Sequence, residues 1–350
     1  MKYVVDILQV QAEKIEKLIE KEKYNSLAQF VATAIANQIY LEESETIELE
    51  NIPHSLSPKK DTIFNFNDLK VKDSKPAPVP LPEYNDIVSS VPRLKRDEID
   101  NKYIWLWGQI NRVLPIKIGL RVLNNLLSNK QWINLNDFKE KAVEVAYSVG
   151  SIIKEHEKNN KKAKLKRISA GLPLNESFKS QVRYKSHFLA NMRSDNLFDG
   201  AMCNLRFVNL NKQDKNEIFI GLTEPGIIFS QLMNPILDEE DFDRSLNDGE
   251  VTFYLEHIKK YVPNEDYAFK WLLNKLNEGI SERLSINKSL KEEIGNRWKT
   301  EGWKATDKFI NTQRAGLMAR MFELGLIIKE KKGIEVFYYI SESGKIFLEK

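Results

Sequence analysis

One cysteine, Cys203, stands among 350 residues, and a single thiol makes neither an internal disulfide nor a zinc site. The four histidines, His54, His156, His187 and His257, are scattered without partners at metal-ligand spacing. No Gly-rich phosphate loop occurs, neither GxxxxGKS/T nor GxGxxG, and no GxSxG elbow. No apolar run approaches the roughly 18–20 residues that cross a bilayer, and the opening MKYVVDILQVQAEK lacks the apolar core of a secretory signal. These absences set the expectation of a protein that is not an enzyme, takes no cofactor or metal and has no membrane partner. Its expected place is the cytoplasm, with the nucleoid.

Aromatic residues are plentiful: 17 Phe, 12 Tyr and 6 Trp within a hydrophobic share of 42%. That supports packed cores, and the length points to two or three domains. The net charge is only +3, but it is segregated. Residues 1–50 carry five Lys against ten acids, residues 151–235 fourteen basic against eight acidic side chains, and residues 236–250 one Arg against seven acids. Segments of opposite sign imply separate electrostatic roles. The densest basic run is Lys158, Lys161, Lys162, Lys164, Lys166 and Arg167, either a phosphate-tracking segment or a solvated loop.

Seven of the 12 prolines, at 53, 58, 76, 78, 80, 82 and 92, fall between residues 42 and 98, which reads as a semi-rigid spacer. After it the chain is mainly α with small β elements. Helical apolar spacing covers Tyr103–Leu127, Asp137–Glu157, Tyr267–Leu284 and Thr312–Leu324, and β-prone stretches cover Glu217–Leu222 and Glu335–Ile340. The expected domains are 1–41, a linker 42–98, a first unit 99–237, an acidic seam 238–250 and a second unit 251–350.

Residues 1–41 read as strand (Lys2–Gln9), helix (Ala12–Lys23), a break at Tyr24-Asn25-Ser26 and helix (Leu27–Leu41). A lone strand has unpaired edges, which a second copy of the chain would satisfy. The pattern EKIEKLIEKEKYNSLAQFVATAI resembles the Arc/MetJ/CopG-type ribbon-helix-helix family. The resemblance implies a homodimer whose ribbon enters the DNA major groove. It would present Lys2, Val4 and Asp6 and hold a phosphate on the amides of Asn25 and Ser26. Residues 1–40 carry five basic and five acidic side chains, so a purely dimerising role and direct base reading both stay open.

The rest holds a weak internal repeat. Residues 183–198 laid over 312–327, and 220–229 over 338–347, match at Ala190/Ala319, Met192/Met321, Leu197/Leu326, Glu224/Glu342, Gly226/Gly344, Ile228/Ile346 and Phe229/Phe347. Each copy reads helix, hairpin, then Thr223-Glu224-Pro225-Gly226 or Ser341-Glu342-Ser343-Gly344. This resembles the winged-helix variant of helix-turn-helix, which implies two units that each offer a recognition helix and a β-wing. In the second, Leu317, Met318 and Met321 would face inward, leaving Thr312, Gln313 and Arg320 toward the bases, Ala315 and Gly316 to let the helix backbone approach the groove, and Lys331 and Lys332 at the wing. In the first, Phe188, Leu189 and Met192 would face inward. Arg183, Tyr184, Ser186, His187 and Asn191 would then be outward, with Lys212 and Lys215 at the wing.

The functional expectation is a sequence-specific, homodimeric double-stranded-DNA-binding protein acting as a transcriptional regulator, most simply a repressor. Tandem winged helices also resemble plasmid replication initiators, and the N-terminal unit resembles partition adaptors. A third alternative is a scaffold in which one winged helix binds a protein partner.

Overall fold

Helices dominate, joined by small antiparallel sheets, in a computed structural model. It describes residue 16 and residues 64–72, 75–87, 108–161, 167–173, 178–213, 217–297, 305–333 and 335–349. The chain divides into two compact units, Met1–Pro58 and Lys59–Lys350. Of the first unit only Glu16, helical and exposed, is described, so the expected ribbon-helix-helix elements lie outside the described residues.

In the second unit α1 (Leu114–Leu127) starts with Pro115 in its first turn, where a missing N–H costs nothing. The helix expected from Tyr103 therefore begins late: residues 108–113 are not helical. The short β1 (Ile133–Asn134) leads into α2 (Leu135–Asn159), whose first amides bond the Asn134 side chain. Next come α3 (Phe178–His187), a small hairpin of β2 (Asn191–Met192) and β3 (Phe198–Asp199), and the single turn α4 (Ala201–Asn204). A larger hairpin follows, β4 (Val208–Lys212) and β5 (Ile218–Leu222), and then α5 (Glu224–Gln231). β1 pairs with β5 and β5 with β4, all antiparallel.

Four helices follow a short α6 (Pro235–Glu239): α7 (Asp248–Tyr261), α8 (Pro263–Asn277), α9 (Arg283–Arg297) and α10 (Asp307–Glu323). The expected helix Tyr267–Leu284 is two, because the chain turns at Glu278–Gly279 and Glu282 forms a bridge to Phe337 before α9 starts. The hairpin of β6 (Ile327–Lys332) and β7 (Glu335–Ile340) and the final α11 (Glu342–Glu349) close the chain. Helix, short strand, helix, helix, hairpin, helix thus occurs twice. In the first copy β1 pairs with β5, and in the second a single bridge at Glu282 takes that place against Phe337 of β7.

The repeat is real but its register differs from the sequence alignment. The equivalent of the α10 terminus is α4, not α3. Phe207 N bonds Met202 O and Arg206 N bonds Cys203 O, as Leu326 N bonds Met321 O and Gly325 N bonds Phe322 O. Both ends are helix stops with a left-handed residue, Arg206 at φ 57° and Gly325 at φ 73°. Thr223 Oγ1 then donates to Arg206 O (2.9 Å) and Ser341 Oγ to Gly325 O (2.5 Å), while Gly226 N and Gly344 N bond those hydroxyls. A Cβ on Gly226 would sit 2.0 Å from Phe207 O, and one on Gly344 2.2 Å from Leu326 O, so glycine is required where the capped helix crosses its own hairpin. In this register Met202/Met321 and Leu205/Leu324 are the identities before the hairpin, and the β2–β3 hairpin is an insertion that misled the alignment.

The described parts of the proline-rich stretch do not span open solvent. Phe66, Leu69 and Val79 are buried. Prolines have no N–H to offer a sheet, and here their carbonyls are taken up by side chains: Gln131 bonds Pro78 O (3.0 Å), Asn209 Pro80 O (2.9 Å) and Arg206 Pro82 O (3.0 Å). Val79 N adds a bond to Leu222 O at 2.8 Å. The segment is a strap.

Nor do residues 238–250 separate two domains. The guanidinium of Arg121 binds Asp238 at 2.8 and 3.0 Å and the carbonyls of Leu69, Ser230 and Leu232. Lys117 reaches Glu250 at 3.0 Å and the Phe229 and Leu232 carbonyls at the end of α5. Desolvation pulls the Lys117 ammonium down to about 8 against the pull of Glu250. The acidic run therefore neutralises two cations of α1 inside a single apolar core that extends from Phe66 to Phe347.

Candidate nucleic-acid interface

α10 carries the side chains expected to read bases, and it has two buried sides. One carries Leu317, Met318 and Met321, buried as expected. Residues 108–113 cover the other. A Cβ on Gly108 would lie 2.0 Å from Thr312 O, and one on Gly316 2.2 Å from Gly108 O, so two backbones touch through paired glycines. Gln313 is 3% exposed and Arg320 1%. Arg320 makes a bidentate pair with Glu265 (2.7 and 2.9 Å) and also donates to Ile110 O. Glu323 accepts from the amides of Val113 and Leu114 that open α1, and burial raises its carboxyl against the pull of Arg112. Gln313, Gly316 and Arg320 are therefore joint residues, corrected from the expectation that they face a groove.

What α10 leaves open is its amino-terminal half. Lys308, Asn311 and Ala315 are exposed, and Thr312 is half-buried with its hydroxyl on Lys308 O (2.8 Å). Lys291 of α9 holds Asp307 at 2.9 Å. A chain of amides runs from Arg314 to Asn287 Oδ1 (2.7 Å) and from Asn287 Nδ2 to Asn311 Oδ1 (2.9 Å). The Asn311 amide nitrogen has no partner among the described residues. Lys331 and Lys332 are exposed on β6, Lys332 shared between the Tyr339 hydroxyl (3.2 Å) and Glu330 (3.4 Å). Lys329 lies over the Phe322 ring at 3.9 Å; burial, helped by Arg112, lowers it to about 8.

The first copy's expected readers are dispersed. Arg183, Tyr184, Ser186 and His187 lie on α3, one hairpin before the helix that abuts β4. Arg183 is exposed and Ser186 and His187 half-buried. Burial lowers the His187 imidazole, Arg183 adding to the effect and Asp199 opposing it. Tyr184 is 1% exposed and donates to Pro115 O at 2.9 Å, a core residue instead of an outward one. Asn191 is in β2, accepting from Lys139 and donating to the carbonyls of Lys185 and Ser186; it closes a turn. Lys212 is exposed and reaches Asn196 at 3.1 Å. Lys215, like Lys2, Val4, Asp6, Asn25 and Ser26, lies outside the described residues.

Of the basic run, Lys158, Lys161 and Arg167 are described and exposed. Glu157, 3% exposed, accepts from Ile168 N, Ser169 N and Ser169 Oγ, which ties the two ends of this loop together. Arg112 bonds both Arg167 O (3.1 Å) and Ala319 O (3.2 Å), so the basic loop stands beside the carboxyl-terminal half of α10. Sequence reasoning missed Lys308 and Asn311. Their signal was a Thr-Asp pair, Thr306-Asp307, which caps and opens α10 several residues before Thr312.

Among the described residues no cluster of three or more His, Cys, Asp or Glu is placed to hold a metal, and no helix is long and apolar enough to cross a membrane. No family model, curated protein or solved structure matches this chain.

Proposed function

We propose that the chain is a double-stranded-DNA-binding protein built on two winged-helix units, acting as a dimeric transcriptional regulator through residues 1–41. The observation that carries this reading is the exposed amino-terminal half of α10, with Lys308 and Asn311, on the same copy of the repeat as the lysine-bearing β6–β7 hairpin. Recognition helices of the helix-turn-helix class read bases with their amino-terminal residues. An asparagine amide matches the paired donor and acceptor of adenine, and Lys308, Lys331 and Lys332 suit phosphates. The duplicated helix–strand–helix–helix–hairpin order supports the assignment of both units.

A second reading, replication initiation or partition, draws on the joint. With Glu323 bonded to the amides of Val113 and Leu114 and Arg320 to Ile110 O, the second copy is held to the start of the first, which suits contact with iterated sites at a set spacing. Fluorescence anisotropy with the native upstream duplex and a scrambled duplex, at several salt concentrations, tests both. Preference for the native duplex with affinity falling steeply in salt supports the proposal, and footprinting then separates an operator from iterated sites. Absence of binding to either duplex at low salt overturns it in favour of a protein-binding scaffold.

A further inference from the structure

A side-chain amide accepts at one end and donates at the other, and which end it shows is set by the hydrogen bonds of its neighbours. Beside α10 one neighbour leaves no choice. Arg314, 5% exposed, carries a guanidinium that can only donate. Its Nε donates to Asn287 Oδ1 of α9 at 2.7 Å. The same guanidinium is held by Met318 Sδ (3.6 Å) and by Tyr338 of β7, so it is a fixed anchor.

Asn287, half-buried, must therefore turn its oxygen to Arg314 and its nitrogen away. That nitrogen donates to Asn311 Oδ1 at 2.9 Å. Asn311 is thereby turned as well: its oxygen faces Asn287, and both hydrogens of Nδ2 are left without a partner among the described residues. Asn311 is exposed and shares a stripe with Lys308 and Ala315, at spacing i, i+3, i+7. The other polar side chains nearby are spent, since the Thr312 hydroxyl donates to Lys308 O and Gln313 is buried. A base edge docked between Lys308 and Ala315 meets the Asn311 amide with its polarity already set.

Resting on the DNA-binding reading above, we infer that Asn287 is a positioning residue which, anchored by Arg314, orients Asn311 to prefer a base edge rich in acceptors. Guanine, whose O6 and N7 both accept, fits the two free hydrogens best, whereas cytosine offers only the N4 donor. Adenine, an acceptor beside a donor, is tolerated because Oδ1 keeps one lone pair. Asn287 acts through Asn311 alone.

The full chain and three variants, Asn311→Ala, Asn287→Ala and Asn287→Asp, are each put through selection from a randomised duplex pool, with anisotropy on the selected duplexes. The base pair whose preference Asn311→Ala erases is the contacted one. There the wild type should favour guanine over cytosine by about ten-fold, the worth of one good hydrogen bond. Asn287→Ala should cut that ratio to about two- to three-fold and leave the salt slope unchanged. Asn287→Asp should invert it. The aspartate still accepts from Arg314, but its second oxygen can only accept, so Asn311 turns Nδ2 inward and shows Oδ1, which suits cytosine. The added carboxylate weakens all duplexes together, so the ratio is the readout; a merely structural role for Asn287 would lower affinity without reversing that ratio. Three results overturn the inference and spare the DNA-binding reading: no base pair that responds to Asn311→Ala, a wild-type preference for cytosine there, or a guanine preference that survives Asn287→Asp. Failure of the wild type to select any site overturns both.

Discussion

Replacing Arg320 with alanine separates a base-reading arginine from a structural one. The guanidinium and the Glu265 carboxylate have side chains 1% and 0% exposed. Arg320→Ala leaves that carboxylate with the Tyr254 hydroxyl at 3.5 Å and removes the donor to Ile110 O. Removing one partner of a buried pair costs about 3–5 kcal/mol, because the other charge stays desolvated. For a unit of this size that corresponds to a fall in Tm of roughly 6–20 °C. Arg320→Met combined with Glu265→Leu removes both charges and fills the space, and should recover most of the loss. Urea unfolding followed by tryptophan fluorescence, with calorimetry for Tm, measures the wild type, Arg320→Met, Glu265→Leu and the double mutant. A single-mutant loss below about 1 kcal/mol, together with lost preference for a DNA site, would refute the joint and restore Arg320 as a reader. Additive single effects in the double mutant would equally refute the pairing, since contacting residues couple.

Gly226→Ala and Gly344→Ala each place a methyl within 2.2 Å of a carbonyl oxygen and should each destabilise by about 1–3 kcal/mol in the same urea assay. The pH profile carries a histidine signature. His257 is lowered from 6.5 to about 4 in the folded chain, so between these values the unfolded chain holds more protons, and stability falls as pH drops through that window, by on the order of 3 kcal/mol. A His257→Phe chain should lack that component; an unchanged slope between pH 4 and 6.5 would show that the imidazole is not buried neutral. Lys331→Ala with Lys332→Ala should flatten the slope of log K against log salt by about 2 if both touch phosphates, and an identical slope removes the hairpin from the interface. Asn311→Ala should reduce discrimination between native and scrambled duplexes by about 1–3 kcal/mol while leaving the salt slope intact.

Much of the local structure was legible in the chain. β7 coincides with the expected Glu335–Ile340 and β5 with all but one residue of Glu217–Leu222, because β-branched and aromatic residues bounded by turns have few other uses. The Thr/Ser-Glu-x-Gly caps and the inward Leu317, Met318 and Met321 follow from rules that act within one turn of helix. Other features were decided elsewhere in the chain. Gln313 and Arg320 are polar and sit at the edge of the apolar stripe of α10, one turn to either side of Leu317, where a polar side chain reads as a solvent-facing border. The partners of Arg320, Ile110 and Glu265, are far away in sequence, Gly108 lies against the backbone of Thr312 and Gln313, and nothing within α10 announces that residues 108–113 lie across it. The acidic run 238–250 resembles a seam until Lys117 and Arg121 arrive from α1, and the prolines at 78, 80 and 82 resemble a free spacer until Gln131, Asn209 and Arg206 take their carbonyls. The β2–β3 insertion shifted the repeat, since two methionines matched in sequence at positions that differ in backbone.

By itself, then, the sequence determined the strands β5 and β7, the hydroxyls and glycines of the two Thr/Ser-Glu-x-Gly caps and the buried Leu317, Met318 and Met321 of α10, all consequences of interactions a few residues apart. Tertiary structure decided which polar side chains stay in water and which neutralise one another inside. A buried charge is stable only beside its partner, and that partner comes from another element brought close by folding.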